Sequence, residues 1–151
     1  MKKEGIDVLL VRGPENLCYL TGYESPGYYG YHCLVLPLGE QPVMVMRSFE
    51  SVSVYEYTWL PGFTEIKDYQ VPADVTAEVL KKLKIGSAKI GIEKRGWFFN
   101  VLEYENLKGH FPKAKIVDST HIVEEARLIK SEEELETMRK SARILDRARG
   151  H

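Results

Sequence analysis

The chain has 151 residues, 44% of them apolar and 28% charged, and a formal net charge of -1. That length and balance fit one globular domain with a core of its own. They exclude a nucleic-acid partner, which would require a basic surplus to meet its phosphates.

Ile6–Val11 is a short, nearly continuous apolar run of branched residues, which predicts a strand buried on both faces. Gly13-Pro14-Glu15-Asn16 then opens a short helix through Leu17, Tyr19 and Leu20, and Gly22 ends it. Gly22 is expected in the left-handed conformation, with Gly22→Ala costing on the order of 1 kcal/mol. Ser25–Gly30 reads as a loop. Tyr31–Leu36 and Pro42–Met46 are apolar runs separated by the turn residues of Pro37–Gln41, which predicts a β-hairpin with a longer loop. Thr64–Tyr69 is a weaker strand. Ala73–Lys84 carries Val75, Val79, Leu80 and Leu83 on one helical face. Lys89–Glu93 is another short strand. Phe98–Lys108 reads as a helix with Phe98, Leu102 and either Tyr104 or Leu107 inward and Gly109 as its stop, and Ala114–Val117 as a last strand. Ser131-Glu132-Glu133-Glu134 is a capping box, and behind it Leu135, Met138, Ala142 and Leu145 repeat at helical spacing. Strands alternating with helices, plus one hairpin, imply an α/β fold with a mixed sheet and helices on both faces.

Few residues form a chemical constellation. The turn after Val11 is Arg12-Gly13-Pro14, whose proline lacks an amide for a phosphate, so a dinucleotide site is not expected. Walker loops, Gly-x-Ser-x-Gly elbows and His-Glu-x-x-His or paired-cysteine zinc motifs do not occur in the sequence. Cys18 falls on a helix and Cys33 on a strand, in neither metal nor redox spacing, and both read as buried free thiols. His32, His110, His121 and His151 are isolated; His110 sits at a helix end, His121 near a helix start, and His32 beside a tyrosine-rich loop. The apolar runs fall short of the ~20 residues of a membrane span. With no leader-type segment before Ile6 and no Asn-x-Ser/Thr sequon, a cytoplasmic location with no membrane partner is expected.

Three segments carry a resemblance. Gly5–Tyr23, with Asn16, Tyr19, Leu20, Thr21, Gly22 and Tyr23, resembles the opening strand and helix of the creatinase/prolidase amino-terminal domain. Gly91-Ile92-Glu93 resembles that family's Gly-Ile-Glu strand. Val117-Asp118 followed by Glu125–Glu134, with Arg127, Lys130, Ser131 and Glu134, resembles the Arg-x-x-Lys-Ser/Thr-x-x-Glu segment that opens its catalytic half.

The resemblance implies a three-layer α/β/α domain over 1–130, with a mixed sheet of about five to six strands, ribonuclease H-like, and residues 131–151 as the start of the first helix of a catalytic domain. It implies a parent that is a metal-dependent Xaa-Pro peptidase, an aminopeptidase or dipeptidase. Its two divalent ions (manganese, cobalt or zinc) would be held by two Asp, one His and two Glu of the catalytic domain. This stretch alone is then expected to hold no cofactor, metal or catalytic residue and to be inactive. The partners implied are its own catalytic domain, a second subunit in a homodimer or higher oligomer, and a small peptide substrate. The amino-terminal domain would serve oligomerisation and substrate access, with Tyr28, Tyr29, His32 and Arg47 as the candidate residues. Arg47 could grip a substrate carboxylate with two hydrogen bonds, or simply bond to Glu50 or solvent. Creatinase has a Phe-Gly-Arg pattern near this loop where this chain has Tyr28-Tyr29-Gly30, which argues against creatine as substrate. The leading helix of the family is also shortened here. A creatinase-like or other small-amide C–N hydrolase, and a free-standing interaction module, are the alternatives.

Overall fold

In the computed structural model, residues 1–85 and 88–150 are described; 86–87 and His151 lie outside them. Six strands form one sheet in the order β4-β3-β2-β1-β5-β6: β1 Val8–Val11, β2 Cys33–Pro37, β3 Val43–Met46, β4 Phe63–Glu65, β5 Lys89–Ile92 and β6 Lys115–Asp118. The hairpin pairs β2 with β3 antiparallel, and β2 is antiparallel to β1 as well. β1–β5, β5–β6 and β3–β4 are parallel. The sheet is therefore mixed, as the alternation of elements required.

The apolar run of β1 lies at the centre, and its alternate side chains feed two cores. Val8 and Leu10 join Cys33, Val35, Val45, Ile90 and Ile92 beneath α3 (Pro72–Lys82) and α4 (Val101–His110), which contribute Val75, Val79, Leu80 and Leu107. Leu9 and Val11 join Leu34, Met44 and Met46 on the other face, under Leu17 of α1 (Pro14–Thr21), Val54 of α2 (Ser51–Tyr57) and Val123 of α5 (Thr120–Leu128). A strand that supplies both cores must be apolar at every position, which is why Val8–Val11 lacks the alternation of a half-exposed strand.

Two expectations need correction, and one helix was not anticipated. The helix expected over Phe98–Lys108 begins at Val101, because Asn100 and Glu103 form a reciprocal capping box. That cap sets the helix's rotation: Leu107 is buried, Leu102 is 65% exposed, and the helix runs through Gly109 to His110. The weak strand expected over Thr64–Tyr69 spans only Phe63–Glu65. Ser51–Tyr57 has a period-two pattern, yet folds as α2. Parallel strands β3 and β4 need a crossover between them, and that demand outweighs the local pattern.

α6 (Glu132–Ala148) opens on the expected box, Glu134 N–H to Ser131 Oγ at 3.2 Å and Ser131 N–H to Glu134 Oε2 at 2.7 Å. None of its residues is buried, and Met138 and Leu145 are 55% and 51% exposed.

Candidate functional site

Arg12, Arg47, Glu93 and Ser119 follow β1, β3, β5 and β6, and His32 precedes the antiparallel β2, so all five gather at one edge of the sheet. The chain leaves β1 toward β2 and leaves β5 toward β6, which opens a crevice between β1 and β5 where α/β sheets commonly bind anions. Here the crevice is filled from within. The Glu93 carboxylate accepts from Arg12 N–H at 2.6 Å, Gly13 N–H at 2.7 Å and Asn16 Nδ2 at 2.6 Å. It is an internal anion at the amino terminus of α1, placed where the helix dipole favours it. Asn16 Oδ1 in turn accepts from Arg127 Nη1 at 2.7 Å. The three segments that carried the resemblance thus meet physically, through Asn16, Glu93 and Arg127.

Arg12, also buried, pairs with Glu103, donates from Nε to the His32 carbonyl at 3.3 Å, and stacks over the Tyr31 ring at 4.0 Å. Beside it a second carboxylate organises the tyrosine-rich loop. Glu50 accepts from Tyr23 Oη at 3.1 Å, from Ser25 Oγ at 2.5 Å and from His32 Nε2. A Cβ at Gly27 would lie 1.8 Å from Glu50 Oε1, so a side chain there would have to displace that carboxylate from its bonds to the loop. Burial pushes the Glu50 carboxyl up, but the bonds from Ser25, His32 and Tyr23 outweigh it and hold it below its ordinary 4.5. Burial also holds the His32 imidazole below its ordinary 6.5, against the upward pull of Glu50. A neutral imidazole donating to an ionised carboxylate satisfies both directions.

This pair makes stability pH-dependent. Below about pH 6.5 the unfolded chain takes a proton at His32 before the folded chain does, so stability falls as pH falls; Glu50 adds the same sign below about 4.5. Thermal melts between pH 7.5 and 5 are expected to show a falling Tm whose slope flattens in His32→Gln. An unchanged slope in that variant would place the dependence elsewhere.

The loop and its neighbours wall an open groove of about 1120 Å³, lined by Tyr19, Tyr28, His32, Trp97, Phe98 and Arg127 among others. Tyr28 packs edge-on against Trp97 at 6.3 Å, and Trp97 leans on Phe98 at 4.3 Å. Of the four access candidates, Tyr28 and His32 reach this groove. Tyr29 is 79% exposed, packs edge-on against Tyr28 at 6.0 Å and is not part of the lining. Arg47 is not part of it either; it pairs with Asp68 rather than with Glu50 or solvent alone, because Glu50 is taken up by the loop. The residues of this candidate site that sequence reasoning did not single out are Glu50, Glu93 and Trp97. Glu93 was findable from the Gly-Ile-Glu segment, and Trp97 from the aromatic run Trp97-Phe98-Phe99; Glu50 carried no local signal.

Cys33 is buried, and that burial pushes its thiol up to about 12; Cys18 is only half-buried, at the groove wall. His110 bonds to Asp74 at 2.8 Å and His121, in the first turn of α5, to Glu4 at 2.8 Å. Among the described residues no three His, Cys, Asp or Glu side chains converge as metal ligands would. Among those residues no helix is long and apolar enough to cross a membrane.

The family model described as Creatinase/Prolidase N-terminal domain matches residues 1–129, the whole sheet and α1 to α5. Ectoine hydrolase of Halomonas elongata is 29% identical over 154 residues, covering 96% of this chain and 39% of that protein. The solved prolidase of Thermococcus sibiricus is similar with a TM-score of 0.79 at 23% identity, covering 97% of this chain and 39% of the other. The N-terminal domain of a Xaa-Pro dipeptidase from Lactobacillus brevis gives 0.71 at 21% identity, over 82% of this chain and 92% of the other. At these identities the two structures show the fold. The chain spans about two fifths of the length of the curated relatives it matches.

Proposed function

Because this chain belongs to the creatinase/prolidase N-terminal domain family, we propose that it is the non-catalytic amino-terminal domain of a metal-dependent Xaa-Pro peptidase-like hydrolase, serving oligomerisation and substrate access. The observation that supports access control is the pinned loop. Ser25–His32 is tied from beneath by a half-buried carboxylate and presents Tyr28 to a groove also walled by Trp97. A loop held in this way keeps its shape when a ligand arrives, which is what discrimination by size requires. The divalent metals and the small peptide substrate would belong to a catalytic domain joined to this one. The unpaired Cys18 and Cys33 support a cytoplasmic setting.

The test uses the full-length protein and Xaa-Pro substrates of increasing length. Tyr28→Ala and Trp97→Ala are expected to raise kcat/KM for long substrates relative to the shortest by roughly fivefold, with kcat for the shortest nearly unchanged. An unaltered length preference would overturn the access role, and a monomer in sedimentation would overturn the oligomerisation role. A second reading, a small-amide C–N hydrolase of the same fold, is favoured by the relative named ectoine hydrolase. Turnover of small non-peptide amides without turnover of Xaa-Pro peptides would select it.

A further inference from the structure

α5 is lightly held. Its buried residues are Thr120 and Val123, both in its first half, while Glu124, Glu125, Ala126 and Leu128 are exposed. Two side-chain bonds tether its second half to α1: Arg127 Nη1 to Asn16 Oδ1 at 2.7 Å and Tyr19 Oη to the Ala126 carbonyl at 3.3 Å. The Asn16 amide can face only one way. Its Nδ2 must donate to Glu93, so its oxygen is left to accept from Arg127. Glu93 is itself fixed by the backbone amides of Arg12 and Gly13 at the end of the central strand. The end of α5 is thereby referenced to the end of β1, a strand paired on both sides.

The placement of α5 matters because α6 hangs from it. Only Ile129, Lys130 and the cap Ser131 separate the two helices, and α6 buries no residue against the domain. A cleft of about 600 Å³ lies between them, floored by Tyr19 and Arg127. α6 has 17 residues, which at the α-helical rise is a lever about 25 Å long. A tilt of about 10° at the joint would therefore move its far end by roughly 4 Å. We infer that Arg127, held by Asn16, which Glu93 orients, and seconded by Tyr19, is a positioning residue that fixes the direction in which α6 leaves the domain. Without it, α5 frays from Glu124 onward and α6 swings.

Arg127→Met keeps the side-chain stem and removes its donors. In the 151-residue chain, amides of residues 124–128 are expected to exchange at least about tenfold faster in this variant, with strands β1 and β5 unchanged. Spin labels on Lys81→Cys and Lys140→Cys, in a Cys18→Ser background, should give a broader distance distribution. Tyr19→Phe, which leaves Asn16 and Glu93 untouched, should loosen the same residues by a smaller factor. Unchanged exchange and distances, or acceleration spread evenly over the whole sheet, would each overturn the positioning role. All these readouts are made on the domain alone, so their failure is distinct from a failure of the access role.

Discussion

Glu93→Ala is expected to lower the unfolding free energy by about 4 kcal/mol, the scale of removing one partner from a buried, charged hydrogen-bond cluster. The Arg12 and Gly13 amides and the Asn16 side chain would all lose their acceptor in a site that is 6% exposed at Glu93 and Asn16. For a domain of this size that corresponds to a fall in Tm of roughly 8–16 °C. Glu93→Gln keeps the shape but turns a donor toward the same donors, and should cost about half as much. Urea titration of the two variants measures both values. A loss under about 1 kcal/mol in Glu93→Ala would mean that water replaces the carboxylate without penalty, and that the crevice does not depend on an internal anion.

Gly22→Ala is expected to cost about 3 kcal/mol, well above the value that the local sequence suggests. Gly22 takes φ 82° and donates its N–H to the Cys18 carbonyl at 2.7 Å, the left-handed helix end anticipated from its position. That conformation accounts for roughly 1–2 kcal/mol with a side chain present. The remainder comes from α2. A Cβ on Gly22 would lie 2.4 Å from the carbonyl oxygen of Tyr57, a backbone atom that cannot rotate aside. Separating the two helices opens the core around Leu17 and Val54, at the usual cost of overpacking, about 1–3 kcal/mol. Replacing the Tyr57 side chain does not relieve the clash, since the obstacle is its backbone. If Gly22→Ala and a simple left-handed-glycine replacement such as Gly39→Ala, which meets open space, cost the same, the contact with α2 is immaterial.

The sequence was most informative where a signal is local. Period and chain punctuation located β1, α1, the hairpin, α3, β5 and β6 to within a few residues, because burial on one or two faces is written in consecutive side chains. The Ser131 box and the Gly22 end were legible for the same reason, since caps act within four residues. α2 was not legible. Its Ser-Val-Ser-Val-Tyr-Glu-Tyr pattern has no helical stripe, and only Val54 is buried, so its conformation follows from the crossover it must make.

The candidate site divides along the same line. Tyr28 and His32 were identifiable from a tyrosine-rich loop at the mouth of a strand, whereas Arg47 has Glu50 as its nearest acidic neighbour in sequence and in fact reaches Asp68. Glu93 meets Arg12 across 81 positions and Arg127 meets Asn16 across 111. By itself the sequence determined the class of fold, the strands that carry its core and three segments of family character. Only the tertiary structure decided that those segments bond to one another, that Glu93 occupies the crevice, and that Glu50 holds the loop. Hydrophobic periodicity records whether a residue is buried but not which partner it meets there. That choice is made by the register of the sheet, which brings distant strand ends to one edge.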